Sequence, residues 1–247
     1  MKKLALFAFT IAGFIFSSCE KNDNDTTPQN SDNSYLPVKI NDFGDIYSFK
    51  YEAQNRLIEM KSGDSETSYI LTTFTYTANK LTAVKEIEVA PDYSGTEDYV
   101  FTYQNNKVTA KVTYTNSSGG NGDSTDVLTI DGNGRLTNYE EGNAIYDTKG
   151  NLIKIQSPYD EYTFEYDTKN GIFKNVKTPQ WVFVYVLDSH FMHIVNNAVK
   201  TEYKDLEENQ TYSQTMTYNY NAADYPTKMS FVDEDNDTYT ATIQYNK

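Results

Sequence analysis

The chain has 247 residues, with 21 Lys and Arg against 35 Asp and Glu, and a net charge of −14 at pH 7. Such an acidic chain is a poor match for nucleic acid, because proteins bind phosphates through Lys and Arg. Charge-driven adsorption to anionic lipid is disfavoured for the same reason. Tyrosine is heavily used, with 22 residues against a single Trp. The length beyond a short leader suits one sizeable domain.

Residues 1–18 predict a lipoprotein signal peptide. Two lysines follow Met1, an apolar run covers 4–16, and two serines precede Cys19. Cys19 is the only cysteine of the chain, so it cannot form an internal disulfide. Its position resembles the lipobox of bacterial lipoproteins, in which the thiol is acylated and the cysteine becomes the new N-terminus. The alternatives are an ordinary secretory signal and a transmembrane anchor, for which the run is shorter than the ~20 residues needed.

Residues 19–36 predict the lipidated cysteine and a flexible acidic tether, followed by a single domain over 37–247. The tether begins Glu-Lys-Asn-Asp-Asn-Asp after Cys19 and shows no apolar periodicity. Acidic residues in this place resemble the export signal of Bacteroidetes lipoproteins that are displayed on the outer face of the outer membrane. The resemblance implies a lipid-anchored, cell-surface location with the membrane as a partner; a solvated linker is the alternative. Loss of the signal removes two lysines and no acid, so the net charge of −14 becomes −16.

The domain is a degenerate repeat of an aromatic strand end, a polar turn and a new apolar strand. The examples are Tyr51-EAQNR-Leu57, Tyr76-TANK-Leu81, Tyr103-QNNK-Val108, Ile130-DGNGR-Leu136, Tyr146-DTKGN-Leu152, Tyr166-DTKNG-Ile172 and Tyr220-NAADY-Pro226. The aromatic anchors are mostly 20 to 28 residues apart, a period that fits two strands and two turns. The turns are rich in Asn, Asp and Gly, which tolerate the positive φ of tight hairpins.

The strands that precede the turns alternate in character, as in Tyr47, Phe49 and Tyr51. One face is therefore aromatic, and the other carries Thr, Lys, Glu and Ser. No stretch shows convincing helical periodicity. We predict an all-β fold, an antiparallel meander of roughly 14–17 strands from serial hairpins. A sheet this wide should curl into a barrel-like or strongly curved form with the aromatic face inside. A membrane barrel is the alternative, but its strands would carry apolar residues on the lipid face.

The turn from Tyr146 to Leu152 resembles YD-type (RHS-like) repeats. Together with the lipobox, the repeats resemble a family of secreted Bacteroidetes lipoproteins of unknown function whose fold is porin-like and all-β. The resemblance covers roughly residues 37–247. It implies a fold and a compartment, and it supplies no activity, cofactor or catalytic residue.

Candidate residues for chemistry are few. The two histidines, His190 and His193, are three residues apart, so in a strand they would face opposite sides. Asp233, Asp235 and Asp237 form a weak calcium candidate, because the sequence lacks the Gly expected at the sixth loop position. A solvated hairpin turn is the alternative for that segment.

The segment 181–187, Trp-Val-Phe-Val-Tyr-Val-Leu, is apolar on both faces of a predicted strand. Trp181 and Tyr185 are the candidate ligand platform, because large aromatic rings bury much area at binding surfaces. Core packing is the alternative for both residues.

These observations predict a cell-envelope lipoprotein that binds or scaffolds, with a glycan or an envelope protein as the candidate partner. We expect a non-catalytic protein without cofactor or nucleic-acid partner, although its catalytic status stays open. One alternative is a glycan hydrolase that uses a carboxylate pair. The other is a periplasm-facing structural lipoprotein.

Overall fold

The computed structural model describes residues 34–42, 45–63, 65–139, 142–187, 193–232 and 237–247. The predicted signal peptide, Cys19, most of the tether, His190, Asp233 and Asp235 lie outside these ranges. The strands are β1 (Pro37–Asp42), β2 (Asp45–Tyr51), β3 (Leu57–Ser62), β4 (Tyr69–Thr77), β5 (Lys80–Ala90), β6 (Tyr93–Gln104), β7 (Lys107–Asn116), β8 (Asn121–Ile130), β9 (Leu136–Tyr139), β10 (Gly142–Tyr146), β11 (Leu152–Gln156), β12 (Asp160–Tyr166), β13 (Ala198–Asp205), β14 (Gln210–Tyr220), β15 (Pro226–Val232) and β16 (Thr238–Tyr245). One helix, α1 (Gln180–Tyr185), lies between β12 and β13.

The sheet closes on itself. Each strand pairs antiparallel with its neighbour in the chain, and β1 pairs with β16. The closing register places Ile40 opposite Ile243 and Asp42 opposite Ala241. Closure pairs both edges of a sheet that would otherwise expose them. The predicted all-β antiparallel meander is confirmed, and its sixteen strands form a closed barrel.

The two faces of the barrel wall differ in the way that the alternation predicts. Phe49, Phe101 and Phe164 are buried in the lumen, and the residues directly before and after each of them in its strand face outward. Opposite charges pair on the outer wall, as between Lys50 and Glu59, whose Nζ and Oε1 atoms are 3.2 Å apart. The outer wall carries Thr, Lys and Glu with exposed apolar residues such as Val100 and Val127 among them, whereas a lipid-facing barrel presents a continuous apolar band.

The repeat tyrosines join neighbouring strands at one end of the barrel. The hydroxyl of Tyr103 donates to the carbonyl oxygen of Leu81, and that of Tyr166 to Leu152, each at 2.7 Å. Equivalent bonds are made by Tyr51, Tyr218 and Tyr245. Burial, followed by the nearby Tyr76, raises the pKa of Tyr103 to about 12. At these positions Tyr buries a ring and satisfies a backbone acceptor, which Phe could not do. The anchors differ in detail, since Tyr220 donates to Asp167 and the Tyr146 hydroxyl is buried without a hydrogen-bond partner among the described residues.

In the polar turn that follows Tyr146, at the same end, the side chain of the first turn residue accepts hydrogen bonds from the backbone of the turn. Oδ1 of Asp147 accepts the backbone N–H groups of Lys149, Gly150 and Asn151, each at 2.8 Å. Gly150 has φ +99°, which a side chain would strain. Desolvation alone would raise the pKa of Asp147, but the hydrogen bonds from the three turn residues outweigh it and lower the pKa below its ordinary value. The turn motif is therefore a structural device of the repeat.

The predicted strand over 181–187 is wrong, because Gln180–Tyr185 form the helix α1. Trp181, Val182 and Phe183 are all buried, and the other three residues of the helix are partly buried, so packing inside the barrel covers most of it. A short apolar run of this kind has no period that separates a buried helix from a buried strand. Within the described ranges, no helix is both long and apolar enough to cross a membrane.

Between β12 and β13, the described residues 167–187 and 193–197 pack inside the barrel against the inward-facing core residues, and we call them the plug. Its backbone joins the turns at the same end of the barrel. Lys177 N–H donates to the carbonyl oxygen of Asn55 at 2.9 Å, and Trp181 N–H donates to that of Gly134 at 3.3 Å. The described part of the plug therefore closes the end at which the polar turns lie.

Candidate functional site

The lumen opens at the end opposite the plug, and we call this end the mouth. Lumen-facing side chains are exposed there, with Tyr114 at 47% and Tyr212 at 48%. A cavity of about 320 Å³ lies in the mouth, and its lining includes Glu86, Glu88, Tyr93, Glu97 and Tyr114. Its volume is that of a small-molecule site. A second cavity, beside the plug, holds only about 10 Å³, which is room for about one water molecule.

Strand alternation places the three glutamates of this cavity inside the barrel. Val84 of β5 and Tyr99 of β6 are opposite each other and buried in the lumen. Residues at even spacing from them face the same side, so Glu86, Glu88 and Glu97 also face inward. Glu86 lies directly opposite Glu97 in the sheet. Their Cβ atoms are thus about 4.5–5.5 Å apart.

Hydrogen bonds from neighbouring lumen-facing side chains position two of these carboxylates. The hydroxyl of Tyr99 donates to Oε2 of Glu97 at 2.8 Å. The hydroxyl of Thr72, which is fully buried, donates to Oε2 of Glu86 at 3.3 Å. Burial, and then the charge of Glu97, raises the pKa of Tyr99 well above its ordinary value. The glutamates are therefore held on rigid strands by neutral donors, as a preorganised site requires.

The tyrosine rings of the cavity lie against glycines. A Cβ atom on Gly122 would be 2.5 Å from Cε1 of Tyr114, and one on Gly95 would be 2.9 Å from the hydroxyl oxygen of Tyr93. Gly122 and Gly95 are opposite Tyr114 and Asn116 of β7, on the lumen side of the wall. The missing side chains therefore make room for the rings.

Further carboxylates face the lumen around the barrel. Asp126 accepts the hydroxyl of Tyr185 at 2.6 Å, and Asp160 accepts that of Tyr203 at 2.7 Å. Asp205 lies opposite Asp160 in the sheet. Carboxylates hydrogen-bonded to tyrosine hydroxyls therefore occur at more than one place around the lumen.

Asp42 and Asp45 face each other at the ends of β1 and β2. Burial, and then the charge of Asp45, raises the pKa of Asp42 to about 6. The Oδ1 atom of Asp42 is buried without a hydrogen-bond partner among the described residues. Because like charges and burial both disfavour the ionised form, this part of the lumen resists additional negative charge.

The plug brings the two predicted platform residues together inside the barrel. Trp181 is 1% exposed, and its ring contacts Phe101 edge-on with the centroids 4.9 Å apart. Tyr185 packs edge-on against Tyr139, with the centroids 5.1 Å apart. Burial, and then the hydrogen bond to Asp126, raises the pKa of Tyr185 well above its ordinary value. At these positions Trp181 presents no exposed ring face to a sugar.

Of the remaining candidate residues, the structure describes only His193 and Asp237. His193 is buried in the plug, with its ring 6.1 Å from that of Tyr218, whereas His190 lies outside the described residues. Of the calcium candidates only Asp237 is described, just before β16. The part of the chain that the structure describes contains no group of three or more His, Cys, Asp or Glu residues able to hold a metal ion.

The mouth was not among the features predicted from the sequence. Its signal was a change of residue type along the lumen face of β5, where buried Leu81 and Val84 give way to Glu86 and Glu88. Carboxylates on the core face of an alternating strand indicate that this part of the face is open to water.

The fold and the mouth define a closed sixteen-stranded antiparallel barrel with one plugged and one open end. No protein-family model and no curated protein matches the chain. The chain is similar to a porin-like protein from Bacteroides vulgatus of known crystal structure, with 10% identity and a TM-score of 0.46 over 86% of this chain and 99% of that one. A porin-like protein from Bacteroides uniformis shows 10% identity and a TM-score of 0.36, over 85% of this chain and 98% of that one.

Proposed function

We propose that the protein is a non-catalytic binding module, held on the cell surface by a lipid, that captures a small ligand in its mouth. The cavity lined by exposed tyrosines and positioned glutamates carries the binding part of this proposal. The signal-like leader and Cys19 support the lipid anchor. The polar outer wall supports a barrel that stands in water, because such a wall would be costly in hydrocarbon.

The barrel is open to a ligand at one end only. The plug closes one end, so a ligand enters and leaves through the mouth. The mouth is built on paired strands, which hold side chains more accurately than loops do. Tyrosine faces pack against apolar surface, and the carboxylates accept hydrogen bonds from hydroxyl groups. Glycans offer both kinds of surface and are the first ligands to screen.

We expect a glycan that binds the full-length protein on an array to lose about tenfold in affinity when Tyr114 is replaced by alanine. Exposed aromatic rings at the centre of a site commonly contribute more than about 1 kcal/mol. Tyr69 is the matched control: it lies on the outer wall, where the ammonium group of Lys61 sits 4.5 Å from its ring centroid. Tyr69→Ala should leave the affinity unchanged, as measured by titration with each glycan found. Equal losses in both variants, or an array without any bound glycan, would remove the glycan part of the proposal.

A carboxylate-based hydrolase is the second candidate, and the facing pair Glu86 and Glu97 is the observation that favours it. Cβ atoms about 4.5–5.5 Å apart would let the two carboxyl groups adopt the ~5–5.5 Å separation of retaining glycosidases. Incubation of each bound glycan with the wild type and with Glu97→Gln separates the two functions. Shortened glycan with the wild type alone would establish the hydrolase.

A further inference from the structure

We infer that the mouth accepts a small organic cation that carries amines. This inference deepens the proposed function and rests on the mouth being a binding site. Three observations support it: the negative charge of the side chains that line the cavity, the outward direction of the lysines on the same strands, and the tyrosine rings beside the glutamates. The cavity of about 320 Å³ has the size for one small molecule.

The charged side chains that line the cavity have one sign. Glu86, Glu88 and Glu97 line it, and further carboxylates face the lumen elsewhere, among them Asp42, Asp45, Asp126, Asp160 and Asp205. A cleft lined by one sign of charge and bounded by low-dielectric walls concentrates ions of the opposite sign. The mouth therefore attracts cations and repels anions.

The lysines of the same wall lie on its other face. Lys85 lies between inward-facing Val84 and Glu86, and its ammonium group is 3.2 Å from Oδ1 of Asp98 on the outer surface. Lys111 of β7 alternates with the buried residues Ala110 and Val112 in the same way. In the strands as the structure describes them, the lysines face outward, so they are not placed to neutralise the lumen.

The aromatic rings complete a cation site. Tyr93 and Tyr114 line the same cavity as the glutamates. Gly95 and Gly122 leave the space that these rings occupy, so a side chain at either glycine would force a ring to move. An ammonium group between carboxylates and ring faces gains both ion pairing and cation–π attraction.

Spermidine is the probe, titrated by calorimetry into the full-length protein in neutral detergent at pH 7.5. We expect saturable binding that weakens as salt rises. The double variant Glu86→Gln/Glu97→Gln should bind at least about tenfold more weakly, because both charges at the cavity are lost. The control is Glu59→Gln/Glu165→Gln, which removes the same charge from the outer wall, where these residues pair with Lys50 and Lys200.

The outcomes separate the inference from the proposed function. Loss of spermidine binding in the mouth variant alone, with unchanged circular dichroism and melting temperature, supports a cation site. Equal weakening in both double variants shows non-specific attraction and overturns the inference. Binding of neutral chitotriose without spermidine overturns the cation inference and leaves the proposed function standing. Failure of both probes overturns the inference, and an empty glycan array in addition counts against a ligand-binding mouth.

Discussion

Replacing Trp181 by alanine is expected to lower the free energy of unfolding by about 3–5 kcal/mol. The indole ring is 1% exposed, and it contacts Phe101 inside the lumen. Its removal would leave a cavity between the plug and the wall that neither can fill without moving. Urea unfolding followed by far-ultraviolet circular dichroism measures the effect, since the variant lacks the only tryptophan of the chain.

Trp181→Phe is the matched control and should cost less than half as much, because a ring still fills most of the space. Tyr159→Ala is a second control, since Tyr159 is 55% exposed and should change stability by less than about 0.5 kcal/mol. A stable Trp181→Ala variant with reduced glycan binding would contradict the core role and favour the predicted ligand platform.

Replacing Cys19 by alanine is expected to abolish incorporation of radiolabelled palmitate into the protein in its native host. In the lipobox interpretation the thiol of Cys19 is the acyl acceptor, and the chain has no second cysteine that could replace it. We also expect protease added to intact cells to cut the wild type and to spare the variant, because an unprocessed chain does not reach the surface.

Ser18→Ala is the matched control, because it keeps the cysteine and a small residue at the cleavage site. Its labelling and its sensitivity to protease should equal those of the wild type. Palmitate in Cys19→Ala would contradict the lipobox interpretation. A wild type that is labelled but protected in intact cells would favour the periplasm-facing lipoprotein and remove surface capture.

The strands and turns of the barrel could be predicted from the sequence because the signals that define them are local. Alternation of aromatic and polar residues, as in Tyr162, Phe164 and Tyr166, defines the inner face of each strand. The Asn, Asp and Gly turns define where each strand reverses. Neither signal is affected by what happens elsewhere in the chain.

Closure, the plug and the mouth could not be predicted, because each depends on distant residues. Ile40 pairs with Ile243, and no local pattern specifies a contact across the whole chain. The helix α1 forms where the lumen covers Trp181 from all sides. The cavity depends on the ring of Tyr114 lying against Gly122, which a strand pattern does not encode.

Whether the outer wall of the barrel faces water is tested most directly by labelling cysteines introduced at Thr113, Thr217 and Thr242. These threonines are exposed on the outer wall, on β7, β14 and β16. Each is replaced by cysteine in the wild-type background, where the acylated Cys19 should not react. Sonicated membranes, which admit a membrane-impermeant maleimide to both faces, are labelled before and after addition of detergent. We predict equal labelling in both conditions at all three positions; labelling that requires detergent would place the wall in lipid and contradict the water-facing barrel.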